Sequence, residues 1–167
     1  MPHFWAKKVT EDYLEAQGVP FVAVRPGAFL GGAWMKASLE HGQLMGATPA
    51  GVRVTYIAPD QVARAVALTV DEPRALGQRV DLGSDRPLSG PELLDLIGRV
   101  LGRPIQQAQM QGSVSADLMA MFRFFQTGKY VADTRRQAEM FGPVPTVEGQ
   151  AREMLTEFGL LPKTTDP

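Results

Sequence analysis

The sequence of 167 residues contains no cysteine and only two histidines, His3 and His41. Without cysteine the chain forms no disulfides, carries no thiolate nucleophile and offers no sulfur ligand to a metal. The two histidines have no metal-ligand spacing, so a zinc site would need carboxylates from scattered positions. We therefore predict no metal site.

Excess charge and long apolar runs are also missing. The 17 basic and 18 acidic residues leave a net charge of -1, which provides no basic surface for a phosphate backbone. No apolar stretch approaches the roughly 20 residues of a membrane span, and the first residues lack the pattern of a secretory signal. These absences predict a cytoplasmic protein with neither nucleic acid nor membrane as partner.

What remains is the composition of an ordinary globular protein, with 44% hydrophobic and 21% charged residues. The length suits one domain, and helical and strand patterns alternate along the chain as in α/β architecture. We predict a single α/β domain over residues 1–162 and a disordered tail over residues 163–167.

The first quarter of the chain predicts a helix that leads into a buried strand. Apolar residues recur near helical spacing between residues 5 and 17, and Gly18 stands where a left-handed C-terminal residue is favoured. Residues 21–24 are an uninterrupted apolar run, typical of a strand covered on both faces in a parallel sheet. Pro26 and Gly27 end this strand.

Patterns further along predict more short strands and helices. Alternation from Val52 to Tyr56 predicts a strand with one buried face, and Asp60 is predicted to cap the next helix. That helix carries an apolar stripe at Val62, Ala63, Val66, Ala67 and Val70. The other expected elements are a short helix near 33–41, a strand at 78–83, a helix opened by a Ser89 to Glu92 capping box and ending at Leu101, a strand in 105–110, a helix rich in methionine and phenylalanine after it, and two last helices capped by Asp133 and Thr146.

A sheet of three or four short strands cannot bury its own surface, and it leaves an edge that invites a partner. Glycines are frequent between residues 27 and 51, which marks this stretch as the expected binding loop. A glycine-rich turn between a strand and a helix, of the kind that holds a pyrophosphate, is nevertheless absent. The class of protein is thus easier to predict than its activity.

Several segments in order resemble the NmrA-like branch of the atypical short-chain dehydrogenase/reductase family. They are His3-x-x-x-Lys7-x-x-x-Glu11 leading to Val-Arg-Pro-Gly at 24–27, Tyr-Ile-Ala-Pro-Asp-Gln-Val-Ala at 56–63, Gly-Gln-Arg-Val-Asp-Leu-Gly at 77–83 with Leu-Ser-Gly-Pro-Glu-Leu-Leu at 88–94, and Pro-Thr-Val-Glu at 145–148. The resemblance implies a partial Rossmann-like fold, namely the C-terminal, substrate-side half, with a small parallel sheet and several helices.

Aligned with such a protein, the chain begins at the helix after the fifth strand, which implies that the nucleotide-binding first half is missing. The resemblance implies NAD or NADP as cofactor, although this chain by itself then binds none or binds weakly. It also implies a small-molecule substrate. The exposed sheet would be covered either by a second copy of the chain, as a homo-oligomer, or by a complementing nucleotide-binding chain.

Two residues of the first helix take catalytic roles by this resemblance. Lys7 matches the active-site lysine, whose ammonium would hydrogen-bond the nicotinamide ribose. The alternative is a surface lysine paired with Glu11. His3 stands four residues earlier, where the wider superfamily has its catalytic tyrosine, and a histidine can donate a proton near neutral pH.

The resemblance also implies a cofactor contact at Pro26, Gly27 and Phe29, which would border the nicotinamide; the alternative for these residues is a strand-ending turn. Trp34, Met35 and Tyr56 are the expected substrate pocket, with an apolar character that suits a quinone or an aromatic ring.

Two functions of different classes follow. The first is an NAD(P)-dependent oxidoreductase-like protein without its N-terminal half, with hydride transfer to a quinone or small carbonyl as the ancestral chemistry. The second is a non-catalytic binding or regulatory module, or a truncated gene product, that kept the packing of the fold.

Overall fold

The computed structural model describes residues 2–45, 47–108 and 115–162, and for Pro2 and His3 it describes only the backbone. Helices and short strands alternate through these ranges, which confirms the α/β prediction. In chain order they are α1 (Pro2–Ala16), β1 (Ala23–Pro26), β2 (Ala28–Phe29), α2 (Ala33–Glu40), β3 (Gln43–Met45), β4 (Tyr56–Ile57), α3 (Pro59–Val70), a 3-10 turn (Pro73–Ala75), β5 (Arg79–Leu82), α4 (Gly90–Leu101), β6 (Gln106–Ala108), α5 (Ala116–Phe125), α6 (Arg135–Phe141) and α7 (Val147–Glu157). The predicted tail at 163–167 lies outside the described residues, and the single domain over 1–162 stays a prediction.

The strands pair in three parallel ladders of two, β1 with β5, β2 with β4 and β3 with β6. Parallel strands need crossover connections, and helices of the chain provide them. The small parallel sheet expected from the sequence is confirmed, in the form of separate ladders. No helix in the described ranges is long and apolar enough to cross a bilayer.

The β1–β5 and β2–β4 ladders meet at Thr55, which lies between the carboxyl ends of β1 and β5. The Gly27 amide still donates to the Leu82 carbonyl at 2.9 Å, but the next amide, that of Ala28, donates to the Thr55 carbonyl at 2.8 Å. A Cβ on Gly27 would lie 2.4 Å from the Thr55 carbonyl oxygen, and one on Gly83 would lie 2.3 Å from its methyl group. Glycine is therefore required at both positions for β4 to insert between the diverging ends of β1 and β5.

The residues at the helix ends predict some of the helix caps correctly. The Ser89 and Glu92 capping box is formed, and Thr146 caps α7 by accepting a bond from the Gly149 amide. Two predicted caps are wrong. Ala58 is the N-cap of α3, because Pro59 occupies the first helical position and moves Asp60 into the first turn, where its charge still favours the helix dipole. Thr134 occupies the N-cap position of α6, without a capping bond from its side chain, and Asp133 instead accepts a bond from the Arg135 amide.

The larger of two hydrophobic clusters lies between α2, α4, α7 and the strands β3 and β4. The apolar faces of α4 and α7 both point into it. Its buried members are Leu30, Met35, Leu39, Leu44, Val54, Tyr56, Leu88, Leu93, Leu96, Ile97, Val100, Ile105, Val147, Ala151, Met154 and Leu155.

In the part of the chain that the structure describes, the smaller cluster contains four buried residues, Ile57, Ala65, Val80 and Leu82, between α3, α6 and one face of β1 and β5. Here two predictions fail. The apolar stripe of α3 is largely exposed, with Val70 82% accessible, because the cluster fully buries Ala65 of this helix and only half-buries Val62. The alternation from Val52 also breaks, since Val54 through Ala58 are all buried where the chain passes between both clusters.

Strand β1 has one neighbour. Its residues pair with β5 from Ala23 opposite Arg79 to Pro26 opposite Leu82. Along its other edge no strand pairs with it within the described part of the chain, and the side chains of Phe21, Val22 and Val24 are only half-buried.

Candidate cofactor and substrate site

The predicted site residues of α1 and of the corner at Pro26 lie at the carboxyl end of β1. The Phe4 ring stacks on the Tyr130 ring with centroids 5.6 Å apart, and the Tyr130 hydroxyl donates to the Pro26 carbonyl at 3.2 Å. Because Lys7 follows Phe4 by one helical turn, the first half of α1 runs past this end of the strand. In open parallel sheets this edge is where ligands bind.

A stack of three aromatic rings, those of Phe4, Tyr130 and Phe125, lies beside the corner at Pro26. Phe125 stacks on Tyr130 with centroids 4.8 Å apart, and Phe124 contacts both Phe4 and Tyr130 edge to face. Burial, and then the charge of Asp81, raises the pKa of the Tyr130 hydroxyl. The methionine-rich helix α5 thus contributes its last turn to this edge, although none of its residues is fully buried.

Lys7 is exposed and forms no ion pair with any described residue. The alternative partner, Glu11, instead accepts bonds from Arg25 at 3.0 and 2.5 Å and from Arg79 at 3.1 Å. The bond and charge of Arg25, with a further contribution from Arg79, lower the pKa of Glu11. The surface pairing of Lys7 with Glu11 is therefore wrong, and the ammonium is available to a ligand. The His3 side chain, the other predicted catalytic group, lies outside the described residues.

The corner residues have structural explanations of their own. Pro26 ends the ladder with its carbonyl bonded to Tyr130, and Gly27 is buried against Thr55. Phe29 is different, since the residue is 55% exposed although its strand lies against the large cluster. Of the three predicted nicotinamide contacts, Phe29 alone presents a ring to solvent.

The three residues of the predicted substrate pocket are not brought together as one surface. Met35 and Tyr56 are buried in the large cluster, whereas Trp34 is 49% exposed. Burial raises the pKa of Tyr56 to about 12, partly offset by a hydrogen bond with Thr48. Met35 therefore packs the core, and only Trp34 of this set meets solvent.

A strand, a glycine pair and a helix do occur in succession at β2, Gly31, Gly32 and α2. Both glycines have positive φ, 137° and 99°, and a cleft of about 80 Å³ opens beside them. Its walls, however, carry the carboxyl groups of Asp60, Glu153 and Glu157. A hydrogen bond with Asp60 raises the pKa of Glu157, followed by its burial and the charges of Asp60 and Glu153. This turn repels anions and does not fit a pyrophosphate.

Two buried glutamines, missed by sequence reasoning, hold the carboxyl ends of the strands. Gln150 of α7 accepts a bond from the Ala58 amide at 2.7 Å, directly after β4. Gln137 of α6 accepts a bond from the Gly83 amide at 2.8 Å and donates to its carbonyl at 3.2 Å, directly after β5. Only their presence on otherwise apolar helix faces could have indicated this role.

The parallel pairing and the helical crossovers define a class of fold, a Rossmann-like α/β fold, of which the chain forms a part. No family model matches the sequence, and no curated protein matches it either. Solved structures do match, and they confirm the resemblance at the level of the fold.

A nucleoside-diphosphate-sugar epimerase from Staphylococcus aureus is similar with a TM-score of 0.70 and 15% identity, over 87% of this chain and 56% of that chain. Triphenylmethane reductase from Citrobacter sp., in its complex with NADP(H), is similar with a TM-score of 0.66 and 17% identity, over 87% of this chain and 57% of that one. UDP-glucose 4-epimerase from Thermotoga maritima is similar with a TM-score of 0.59 and 15% identity, over 93% of this chain and 51% of that chain. The chain thus spans about half the length of the solved structures that it matches.

Proposed function

We propose that this chain is the substrate-side part of an NAD(P)-dependent oxidoreductase-like protein, with hydride transfer to a quinone or small carbonyl as its ancestral chemistry. In this proposal a nucleotide-binding α/β unit outside the chain completes the site by pairing with β1. The observation that carries the proposal is the open edge of β1, along which no described strand pairs with it. Lys7, Phe29 and the aromatic stack lie near the carboxyl end of the same strand.

The open edge has the hydrogen-bonding groups that a parallel strand needs. The amides of Ala23 and Gly27 donate toward β5, at 2.9 Å each. Because alternate residues of a strand direct their amides to opposite edges, the Val24 amide and carbonyl point to the open edge. Its half-buried apolar neighbours, Phe21 and Val22, would become fully buried by one further strand.

The residues present fit the nicotinamide end of the cofactor and not its phosphates. Lys7 would donate hydrogen bonds from its free ammonium to the ribose, and Phe29 would shield one face of the ring from water. NAD(P)H, when bound, supplies the hydride. His3 is the proposed proton donor, and Trp34 the proposed wall for an aromatic substrate. The phosphates would need the complementing unit, since the described glycine turn is lined by carboxylates.

Calorimetric titration with NADPH and with NADH tests this proposal. The chain alone should give no saturable binding below about 1 mM. Co-expressed with an α/β segment encoded immediately upstream, it should co-purify and bind NAD(P)H, and Lys7→Met should weaken that binding at least about tenfold. Arg99→Met, which removes one positive charge from α4, is the matched control. Tight binding by the chain alone would refute the proposal.

A second variant tests the open edge itself. Val24→Pro removes an amide that the isolated chain does not use, so the chain should still fold, as judged by its unfolding in urea. The same variant should no longer co-purify with the complementing unit. Unchanged co-purification would mean that the partner does not pair with β1.

The alternative is a non-catalytic module. Two observations favour it: the Pro26 carbonyl is already bonded to Tyr130, and the glycine turn before α2 does not suit an anion. Absence of nicotinamide binding by the complemented protein would support this alternative. A cytoplasmic location stays a prediction for both functions.

A further inference from the structure

Helix α1 is attached to the rest of the molecule by few side chains. Among its described side chains, those of residues 4–16, none is buried, and Phe4, Glu11 and Leu14 are half-buried. Helices α4 and α7, by contrast, have five buried residues each. Helices in proteins are stabilised mainly by the packing of an apolar face. The attachment of α1 therefore depends on something other than apolar burial.

The three half-buried residues share one face of α1 with Lys7. Phe4, Glu11 and Leu14 follow one another at helical periodicity, and Lys7 lies between the first two, three residues after one and four before the other. The contacts that dock the helix thus also place Lys7 at the carboxyl end of β1.

The face of the sheet beneath α1 is charged. In the ladder of β1 and β5, Arg25 pairs with Asp81, and Ala23 pairs with Arg79. Alternate residues of a strand point to opposite faces, so these side chains share one face, and the apolar residues of the smaller cluster lie on the other face with α3. Helix α1 lies on the charged face, because Glu11 is bonded to both arginines.

Glu11 is the centre of the docking contact. It accepts bonds from Arg25 at 3.0 and 2.5 Å and from Arg79 at 3.1 Å, and Arg79 also donates to Glu15 at 2.6 Å. The side chain of Glu11 is 15% exposed, that of Arg79 30% and that of Arg25 40%. Ion pairs that reach solvent in this way are weakened by salt, whereas apolar contacts are not.

Loss of the Glu11 charge would leave two guanidinium groups beside each other. The hydrogen bond and charge of Arg25 lower the pKa of Glu11 from 4.5, so this carboxyl group is charged at neutral pH and is protonated only below that value. Among the described residues, Asp81 also acts on Arg25, and Glu15 also acts on Arg79. Protonation of Glu11 removes the carboxylate that the two arginines share, and their mutual repulsion remains.

The other attachments of α1 are at its two ends. At the N-terminal end Phe4 stacks on Tyr130, whose phenol stays uncharged in acid and at neutral pH because its pKa is raised. At the C-terminal end the chain turns at Gly18, where φ is 65° and an added Cβ would meet nothing within 4 Å. Residues 17–20 are all exposed. This exposed connection can act as a hinge once the ion pairs break.

We propose that α1 is a pH- and salt-sensitive switch, which undocks from the sheet as one unit in acid or at high ionic strength while the rest of the chain stays folded. Undocking removes Lys7 from the carboxyl end of β1 and exposes the charged face of the ladder. Because an isolated helix of 15 residues is marginally stable in water, the undocked segment also loses its helical hydrogen bonds. The proposal goes beyond the proposed function and requires no nucleotide.

Hydrogen exchange of the full chain tests this proposal, because each amide reports the opening of the unit that contains it. At pH 7 and low salt, the amides of α1 should exchange at least about 100-fold faster than those of α4 and α7, after correction for intrinsic rates. Raising the salt from about 0.05 to 1 M should speed α1 at least about threefold relative to α4. Lowering the pH to about 3.5 should speed it about tenfold on the same scale.

Three results of this experiment would overturn the proposal. The first is exchange of α1 at the rate of α4 and α7, which would mean that the helix opens only when the whole chain unfolds. The second is exchange that does not respond to salt, and the third is exchange that does not respond to acid.

A pair of variants tests the role of the central carboxylate. Glu11→Gln keeps the shape of the side chain, and it should speed the exchange of α1 about threefold to tenfold at pH 7 and remove most of the dependence on acid. Asp12→Asn is the matched control, because Asp12 is exposed on the same helix and pairs with Lys8. It should change the rate less than about twofold. Equal effects of the two variants, or an equal change in α1, α4 and α7, would contradict the switch.

Trypsin gives an independent readout, because Lys7 and Lys8 lie within α1 and Arg99 lies within α4. Cleavage after the two lysines requires the helix to open, so it should accelerate with salt while Arg99 stays uncut. Cleavage at all three residues at one rate would show that the whole chain unfolds together and would refute the proposal. Neither measurement uses NAD(P)H, so failure of this proposal is distinguishable from failure of the proposed function.

Discussion

The two sides of this molecule are packed to different degrees. Among the described residues, the side built on α4 and α7 encloses sixteen buried hydrophobic residues, whereas the side of α3 and β1 encloses four. On the second side apolar residues such as Val70 remain in water, and α1 is held to the sheet by ion pairs and one ring stack. The difference shows which side of the chain buries its apolar residues and which side leaves several of them exposed.

The largest effect on stability should come from the side built on α4 and α7. Leu96→Ala and Leu155→Ala each remove a fully enclosed side chain, and we expect each to lower the free energy of unfolding by about 2–5 kcal/mol in urea titrations. The matched change on the other side, Leu68→Ala, replaces a half-exposed residue and should cost less than about 1 kcal/mol. Similar losses for all three variants would remove the contrast between the two sides.

The close contact between Gly27 and Thr55, where the ladders meet, should give the next largest effect on stability. Gly27→Ala places a methyl group against the Thr55 carbonyl, and we expect a loss of about 1–3 kcal/mol by thermal or urea unfolding. Gly51→Ala is the control, because nothing lies within 4 Å of the added carbon. If Gly27→Ala kept full stability, the glycine would be free for a ligand and not required by packing.

The ion pairs of α1 should respond to acid. Because the pKa of Glu11 is lowered from its ordinary value of 4.5, its contribution is present above pH 4.5 and is lost as the pH falls through the lower value in the folded chain. Glu11→Gln should cost about 1 kcal/mol at pH 7 and flatten the stability curve on the acid side.

Glu40→Gln, on the exposed face of α2, is the matched control and should leave the acid limb of the curve unchanged. An acid limb that is the same in Glu11→Gln and in the unaltered chain would mean that α1 is not held by these pairs.

The smallest effect belongs to the outer face of α3. Val70→Ser should change the free energy of unfolding by less than about 0.5 kcal/mol, since the side chain is 82% exposed. A loss above about 1 kcal/mol in a concentration-independent urea titration would show that this face is covered, and the contrast between the two sides would then be smaller than described.

Prediction from the sequence succeeded where short-range chemistry decides. The capping box at Ser89, the cap at Thr146 and the left-handed residue at Gly18 depend on neighbours within a few positions. It failed where the partner is distant. Nothing near Val66 reveals that its side of the sheet has too few residues to cover it, and nothing near Met35 separates a pocket wall from a core residue.

In the candidate site, too, the features that depend on distant partners could not be predicted from the sequence. Lys7 was found through a family pattern, but its freedom from Glu11 follows from Arg25 and Arg79, which are far away in the chain. Gln137 and Gln150 were missed, because a buried glutamine on a helix is indicated by no local motif. Their bonds to the carboxyl ends of β4 and β5 exist only once α6 and α7 have packed.

The sequence by itself determined the alternation of helices and strands, most helix ends, and the apolar character of residues 21–24, since these depend on periodicity and on contacts within a few residues. The tertiary structure alone decided that Gly27 and Gly83 admit Thr55, that no described strand pairs with the second edge of β1, and that the side chains of Trp5, Val9 and Tyr13 face outward from α1. These features depend on which distant surfaces meet, and burial is a property of the assembled chain and not of any single segment.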